Sequence, residues 1–207
     1  MKKLSTSKQM AINMVAAIVS FLIGTGINFV LAPYLVKELG SETYGFIGLA
    51  NNFVQYATIV TSALNSMSGR FISIEYSKGN IDKASRYFSS VLVADLIIAG
   101  VLLLVSSIIT FNIEFILNVP ENLVDSVKIL FALTFATFII SVITAIFTTA
   151  AFVKNKLYIN SLRDIASNTL KLLLVVILFS FFPAKVYFIA MASLASGIFL
   201  LLSPFIL

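Results

Sequence analysis

The fold class this sequence predicts is an all-α integral membrane protein with six spans, and three observations predict it. Charged residues make up 11% of the 207-residue chain, against about 25% in an ordinary soluble domain. No charge occurs between Lys8 and Lys37, Glu42 and Arg70, Asp95 and Glu114, or Lys128 and Lys154; a bilayer core needs roughly 20 apolar residues at about 1.5 Å rise each. The lysines and arginines that remain fall almost entirely on alternate connections. A membrane barrel is disfavoured, because its strands are about 9 to 11 residues of alternating polarity, whereas these runs are apolar on every face.

The first span is predicted over 10–36. Its leading MKKLSTSK is that of a secretory signal, but the apolar run of roughly 28 residues exceeds an h-region of about 7 to 15 and lacks an A-x-A cleavage site. It stays attached. Gly24-Thr25-Gly26 inside it reads either as close helix packing or as a local hinge. A short connection at Lys37–Thr43 leads to the second span, 44–68. The long loop that follows, GRFISIEYSKGNIDKASRYFSS, predicts a short helical hairpin at the inner membrane surface, turning at Lys78-Gly79-Asn80. The third span is predicted over 89–110. Pro120, Glu121, Asn122 and Asp125 then mark a helix start, with proline first and acids in the first turn. The fourth, fifth and sixth spans follow over 128–153, 165–182 and 186–207.

Orientation follows from the basic residues. Ten lie in the N-terminal segment and the second and fourth loops, and three (Lys37, Lys128, Lys185) in the first, third and fifth. The positive-inside rule therefore places the N-terminus in the cytoplasm, in a bacterial inner (cytoplasmic) membrane. The net charge of +5 belongs to membrane boundaries, where it meets anionic lipid headgroups, and nucleic acid is not an expected partner. With no His and no Cys, histidine triads, thiol nucleophiles, thiolate metal sites and disulfides are excluded. No phosphate-cradling G-x-x-x-x-G-K-[ST] occurs. The outward connections are too short for a catalytic domain. The expectation is a protein without cofactor, resident metal or enzymatic activity.

Polar residues within the spans are the functional candidates. Asn51, Gln55, Thr58, Ser62 and Asn65 advance by three or four along the second span, with Asn52 beside them, forming a stripe that faces protein or water. It reads either as interhelical hydrogen bonding or as the wall of a hydrophilic cavity. Asp95 in the third span reads as a proton or ion site, or as a protonated or paired group. Lys171, some two turns into the fifth span, reads as a snorkelling side chain or as a cation in the cavity. Arg70, closing the second span, has the same two readings: cavity cation or headgroup anchor.

The segment LAPYLVKELGSETYGFIGLANNFVQYATIVTSALNSMSGR, followed by EYSKGNIDKASRYF, resembles the polysaccharide (O-antigen or capsule type) flippases. These belong to the multidrug/oligosaccharidyl-lipid/polysaccharide exporter superfamily. The features that carry the resemblance are Pro33-Tyr34-Leu35 and the LG-x-E-x-YG turn (Leu39, Gly40, Glu42, Tyr44, Gly45). To these it adds Arg70 closing the second span and the KGN-x-x-KA loop. It covers the N-terminal third well; beyond that, only span number and loop polarity match. It implies that residues 1–207 are the N-terminal lobe of a two-lobe transporter of twelve or fourteen spans. The C-terminal lobe would then be absent, so the chain is expected to be a fragment or truncated frame, completed by that lobe or by a second copy.

The resemblance further implies flipping of an undecaprenyl-diphosphate-linked oligosaccharide, with Lys171 and Arg70 meeting the diphosphate. Asn51, Asn52, Gln55 and Asn65 would meet the sugars, and Asp95 would couple an ion. A polysaccharide polymerase and other assembly proteins are the expected partners. The first span has no arginine, which disfavours a peptidoglycan precursor as cargo. Two alternatives stand beside this: a multidrug cation antiporter of the same superfamily, and a non-catalytic membrane component of a polysaccharide assembly complex.

Overall fold

The computed structural model describes residues 6–205, apart from the side chains of residues 6, 60, 63–65 and 205. Lys2 and Lys3 of the basic N-terminus and the last two residues of the sixth predicted span lie outside the described residues, as does the Asn65 side chain. Every regular element among the described residues is helical: α1 (Thr6–Leu39), α2 (Ser41–Ser77), α3 (Ile81–Phe111), the single turn α4 (Ile113–Ile116), α5 (Val124–Val153), α6 (Leu157–Phe181) and α7 (Phe188–Leu202).

Four of these are long and apolar enough to cross a membrane: α1, α3, α5 with its leading turn, and α6. Of the six spans expected from sequence, four meet both requirements among the described residues. α2 is the longest helix, but Asn51, Asn52 and Gln55 interrupt its apolar character at mid-length. α7 is apolar but has only 15 residues, because the chain tightens into a 3-10 turn at Ser203–Phe205, around Pro204.

The connections are tighter than the sequence suggests. The expected seven-residue first loop is one residue: Gly40, at φ 81°, lies between α1 and α2, and its carbonyl accepts from the Tyr44 amide. A left-handed φ is routine only for glycine. The predicted surface hairpin is also corrected. α2 runs unbroken to Ser77 and α3 starts at Ile81, so Lys78-Gly79-Asn80 is the tip of one long hairpin whose arms continue the spans. A 37-residue helix is about 55 Å long, well beyond a hydrocarbon core of about 30 Å. The acid-led helix start holds: Glu121–Leu123 forms a 3-10 turn after Pro120 and runs into α5. Lys128 reaches back to Glu114 at 2.9 Å and ties α5 to α4.

The two ends of the bundle differ in charge. One end carries the Lys78–Asn80 and Lys154–Lys156 turns and the start of α1, with Lys8, Lys83 and Arg86; the Gly40 end carries Lys37, Lys128 and Lys185. The first is called the basic end below. α5 lies at the centre, packed on α2, α3 and α7. α1 leans on α6 and touches α2 only sparingly, while α2 turns away to α5 and α3. The main apolar core fills the Gly40 end, with Leu31, Leu35, Phe46, Leu130, Phe131, Val175, Phe179 and Phe188 buried together. Phe29, Phe111, Phe115 and Phe181 are exposed on the outside, where a bilayer would cover them.

Two polar links hold the basic end. Asn13 is buried and donates to the Asn155 carbonyl and side chain, while its own oxygen accepts from the Tyr158 amide. Arg163, counted from sequence as a loop cation, is instead a buried residue of α6. Its guanidinium donates to the Ser203 hydroxyl and, at 2.6 Å, to the Leu200 carbonyl. It caps the end of α7, where carbonyls lack intrahelical partners and a cation is favoured. α1 passes through Gly24–Gly26 without a break. Gly24 faces Asn168 on α6, and a β-carbon there would meet it at an ordinary 3.5 Å, while Gly26 meets nothing within 4 Å; Gly24 alone is a packing position, in an unbroken helix.

Candidate substrate cavity

Because α1 and α2 diverge from Gly40, a cleft of about 730 Å³ opens between them, walled by α5, α6 and α7. Leu31, Leu35, Leu130, Ile189 and Ala190 bound it where it meets the core. Its polar groups come from five helices: Asn28 of α1, Asn51 and Thr58 of α2, a line of hydroxyls on α5, Asn168 and Lys171 of α6, and Ser193 and Ser196 of α7.

Lys171 is the only charged residue among the described lining. It is the fifteenth residue of α6, because that helix begins at Leu157, eight residues before the predicted span. Counted along the helix, it lies about four turns, roughly 20 Å, from the α6 start. Lys171 has no hydrogen-bond or ion-pair partner among the described residues.

The α5 line is Thr134, Thr137, Ser141, Thr144 and Thr148. It was not singled out from sequence, although its spacing of three and four was there to be read. Most of these hydroxyls donate to their own helix: Thr137 to the Leu133 carbonyl at 2.8 Å, Ser141 to Phe138 at 2.7 Å, Thr144 to Ile140 at 2.8 Å and Thr148 to Ala145 at 2.7 Å. Their protons are committed, so they present acceptor lone pairs to the cavity. The Asn168 amide group donates to the Asp164 carbonyl at 2.9 Å, which leaves its oxygen as an acceptor too. The chemical sum is one ammonium donor deep in the cleft, surrounded by acceptors and amides, with no carboxylate among the described lining residues. Such a cleft suits an anionic group attached to hydroxyl-bearing groups.

The sequence candidates divide. Asn51 and Lys171 meet in the cavity with Asn28 and Asn168. Asn52 and Gln55 do not line it; both are exposed on α2. The stripe is split because Thr58 lines the cleft while Ser62 is exposed and donates to the Ile59 carbonyl. Arg70 is also outside the cavity, lining a second pocket toward the basic end. Asp95 is buried, 3% exposed, on α3, which contributes no residue to the cleft. Its Oδ2 has no hydrogen-bond partner.

The chain is 33% identical over 187 residues to a Bacillus subtilis (strain 168) protein described as "Uncharacterized membrane protein EpsK". The alignment takes in 90% of this chain and 37% of that protein, so the chain spans well under half the length of the curated relative it matches. No known family profile matches the chain, and no solved structure matches it. The chain is therefore a helical membrane protein with a bacterial membrane-protein relative; these matches name no flippase.

Proposed function

We propose that this chain is a six-span lobe of a membrane transporter that flips a lipid-linked oligosaccharide, its head held through a diphosphate, across the bacterial cytoplasmic membrane. The observation that carries this reading is Lys171, an unpaired ammonium four turns along α6 that lines a cleft of hydroxyls and amides. Burying an uncompensated cation is costly, and an anionic headgroup would compensate it each time it binds. In a low-dielectric cleft that attraction is far stronger than in water. Sugar hydroxyls are donors, and the α5 hydroxyls and side-chain amides offer acceptors for them.

In this reading α2 and α7 cross the membrane as the second and sixth spans. The amides of α2 are tolerated because they face the cleft or a second lobe. The greater length of the relative leaves room for such a lobe, which would cover Asn52 and Gln55. The concentration of lysine and arginine at one end supports an N-terminus in the cytoplasm. The sequence has no histidine to activate the cleft's hydroxyls, and no enzymatic step is proposed. A polymerase and other assembly proteins remain the proposed partners for handing on the glycan.

Asp95 favours ion coupling as part of the same cycle: a buried carboxyl with an open oxygen can take up a proton or a sodium ion. A multidrug cation carrier is disfavoured by the absence of an acid among the described cavity lining.

The test is flipping in proteoliposomes by the protein at its full native length, with a fluorescent prenyl-diphosphate sugar and a membrane-impermeant quencher. Quenching beyond the half expected of a static bilayer is the predicted result; quenching that stops at half would reject the proposal.

A further inference from the structure

We infer that the Arg70 pocket at the basic end is a receiving chamber, in which the phosphate head of the cargo docks before passing Thr148 into the Lys171 cleft. The inference rests on the transporter reading above and adds a second site to it. The pocket, about 780 Å³, lies between α2, α5 and α6 and is lined by Ser66, Arg70, Ser73, Thr148, Thr149 and Asn160 among others. Thr148 also lines the main cleft, so the two spaces meet at one side chain.

The chemistry of the pocket is specific. The exposed Arg70 offers a fork of donors suited to a phosphate. Opposite in character, Ser73 donates its proton to the Gly69 carbonyl at 2.7 Å and Thr148 to Ala145 at 2.7 Å, leaving lone pairs free. Asn160 donates through Nδ2 to the Thr148 carbonyl at 3.2 Å, which fixes the amide; its Oδ1 is buried and has no partner. One guanidinium with several acceptors fits a phosphate ester that carries hydroxyls, and the cargo head has both. The position also fits the order of events: the pocket lies at the basic end, and the path from there to Lys171 runs along the α5 hydroxyl line that starts with Thr148.

The chain has no cysteine, so single-cysteine variants report one site each. Ser66→Cys reads the receiving chamber and Ser193→Cys the main cleft, through labelling by a water-soluble methanethiosulfonate in phosphatidylcholine nanodiscs. The probe is a short-chain prenyl diphosphate carrying one hexose. The expected result is that the probe slows labelling at both positions by about fivefold or more. Arg70→Gln or Asn160→Leu should abolish the protection at Ser66→Cys and delay protection at Ser193→Cys, with unchanged thermal stability. Protection at Ser193→Cys alone, independent of Arg70, would overturn the receiving chamber and leave the transporter reading standing. Protection at neither position would sink both. If phosphatidylglycerol nanodiscs without probe protect Ser66→Cys and the probe adds nothing, the pocket is a lipid anchor and the inference is wrong.

Discussion

Asn13 and Asn155 are 142 positions apart and share two hydrogen bonds, from Asn13 Nδ2 to the Asn155 carbonyl at 3.2 Å and to its Oδ1 at 2.9 Å. Asn155 has φ +54°, a conformation asparagine tolerates better than most residues. The Asn13 oxygen also accepts from Tyr158 at 3.1 Å, in the first turn of α6, where backbone amides have no helical partner. One amide of α1 thus fixes the α5–α6 turn and the start of the helix that carries Lys171.

Replacing that amide should loosen the whole arrangement. Asn13→Ala removes three part-buried hydrogen bonds, and the expected loss is about 1–3 kcal/mol at about 0.5–1.5 kcal/mol for each. Thermal unfolding in detergent would measure it; a melting temperature equal to the parent's would mean that α1 is held on α6 by apolar packing alone.

Arg163 should behave as a structural residue. Arg163→Ala removes charge-assisted bonds to Leu200 and Ser203, each worth about 1.5–3 kcal/mol. Arg163→Lys should recover only part, since an ammonium cannot reproduce the guanidinium fork. The same unfolding assay tests both, and full rescue by lysine would show that the charge matters more than the fork.

Lys171→Gln should leave stability unchanged or raised and reduce flipping at least about tenfold, the equivalent of roughly 1.4 kcal/mol, with Lys171→Arg intermediate. Normal flipping by Lys171→Gln at equal expression would remove the phosphate role.

Asp95 separates stability from activity in the opposite sense to a structural acid. Its unpartnered buried oxygen costs stability, so Asp95→Asn should melt no lower than the parent. The variant should also lose the pH or sodium dependence of flipping. A parent and variant with the same response to both ions would eliminate ion coupling at this residue.

Glu75 provides a pH prediction outside the spans. Hydrogen bonds from Asn80, at 3.0 Å, and then Lys78, at 3.1 Å, hold its carboxyl below the ordinary carboxylate range. The folded form therefore binds its proton less readily than the unfolded one. The support this gives the Lys78–Asn80 turn is present above the ordinary glutamate range and is lost as pH falls through the lowered value. Amide exchange at Gly79 and Asn80 should speed up on acidification in the parent and not in Glu75→Gln; equal acceleration in both would assign the effect elsewhere.

What the sequence determined by itself was the helical, membrane-spanning character of the chain, which depends on transfer from water to hydrocarbon. Uncharged runs, alternate basic connections and the acid-led start of α5 are local properties, and each emerged in the structure. The helix that carries Lys171 starts eight residues before the predicted span, because Asn160, Ser161, Arg163 and Asp164 look like a loop by polarity. Only tertiary partners such as Ser203 and Leu200 make that stretch helical and partly buried.

Tertiary structure also decided which polar residues meet. Asn51 lines the cleft while neighbouring Asn52 and Gln55 do not, because helical periodicity states that residues share a face but not what that face meets. The divergence of α1 from α2 at a single glycine, and the packing of α1 on α6, create the cavity. Neither is encoded in any one stretch, since the packing of α1 on α6 joins residues more than a hundred positions apart and α2 turns to α5 through distant pairs such as Phe53 and Phe131.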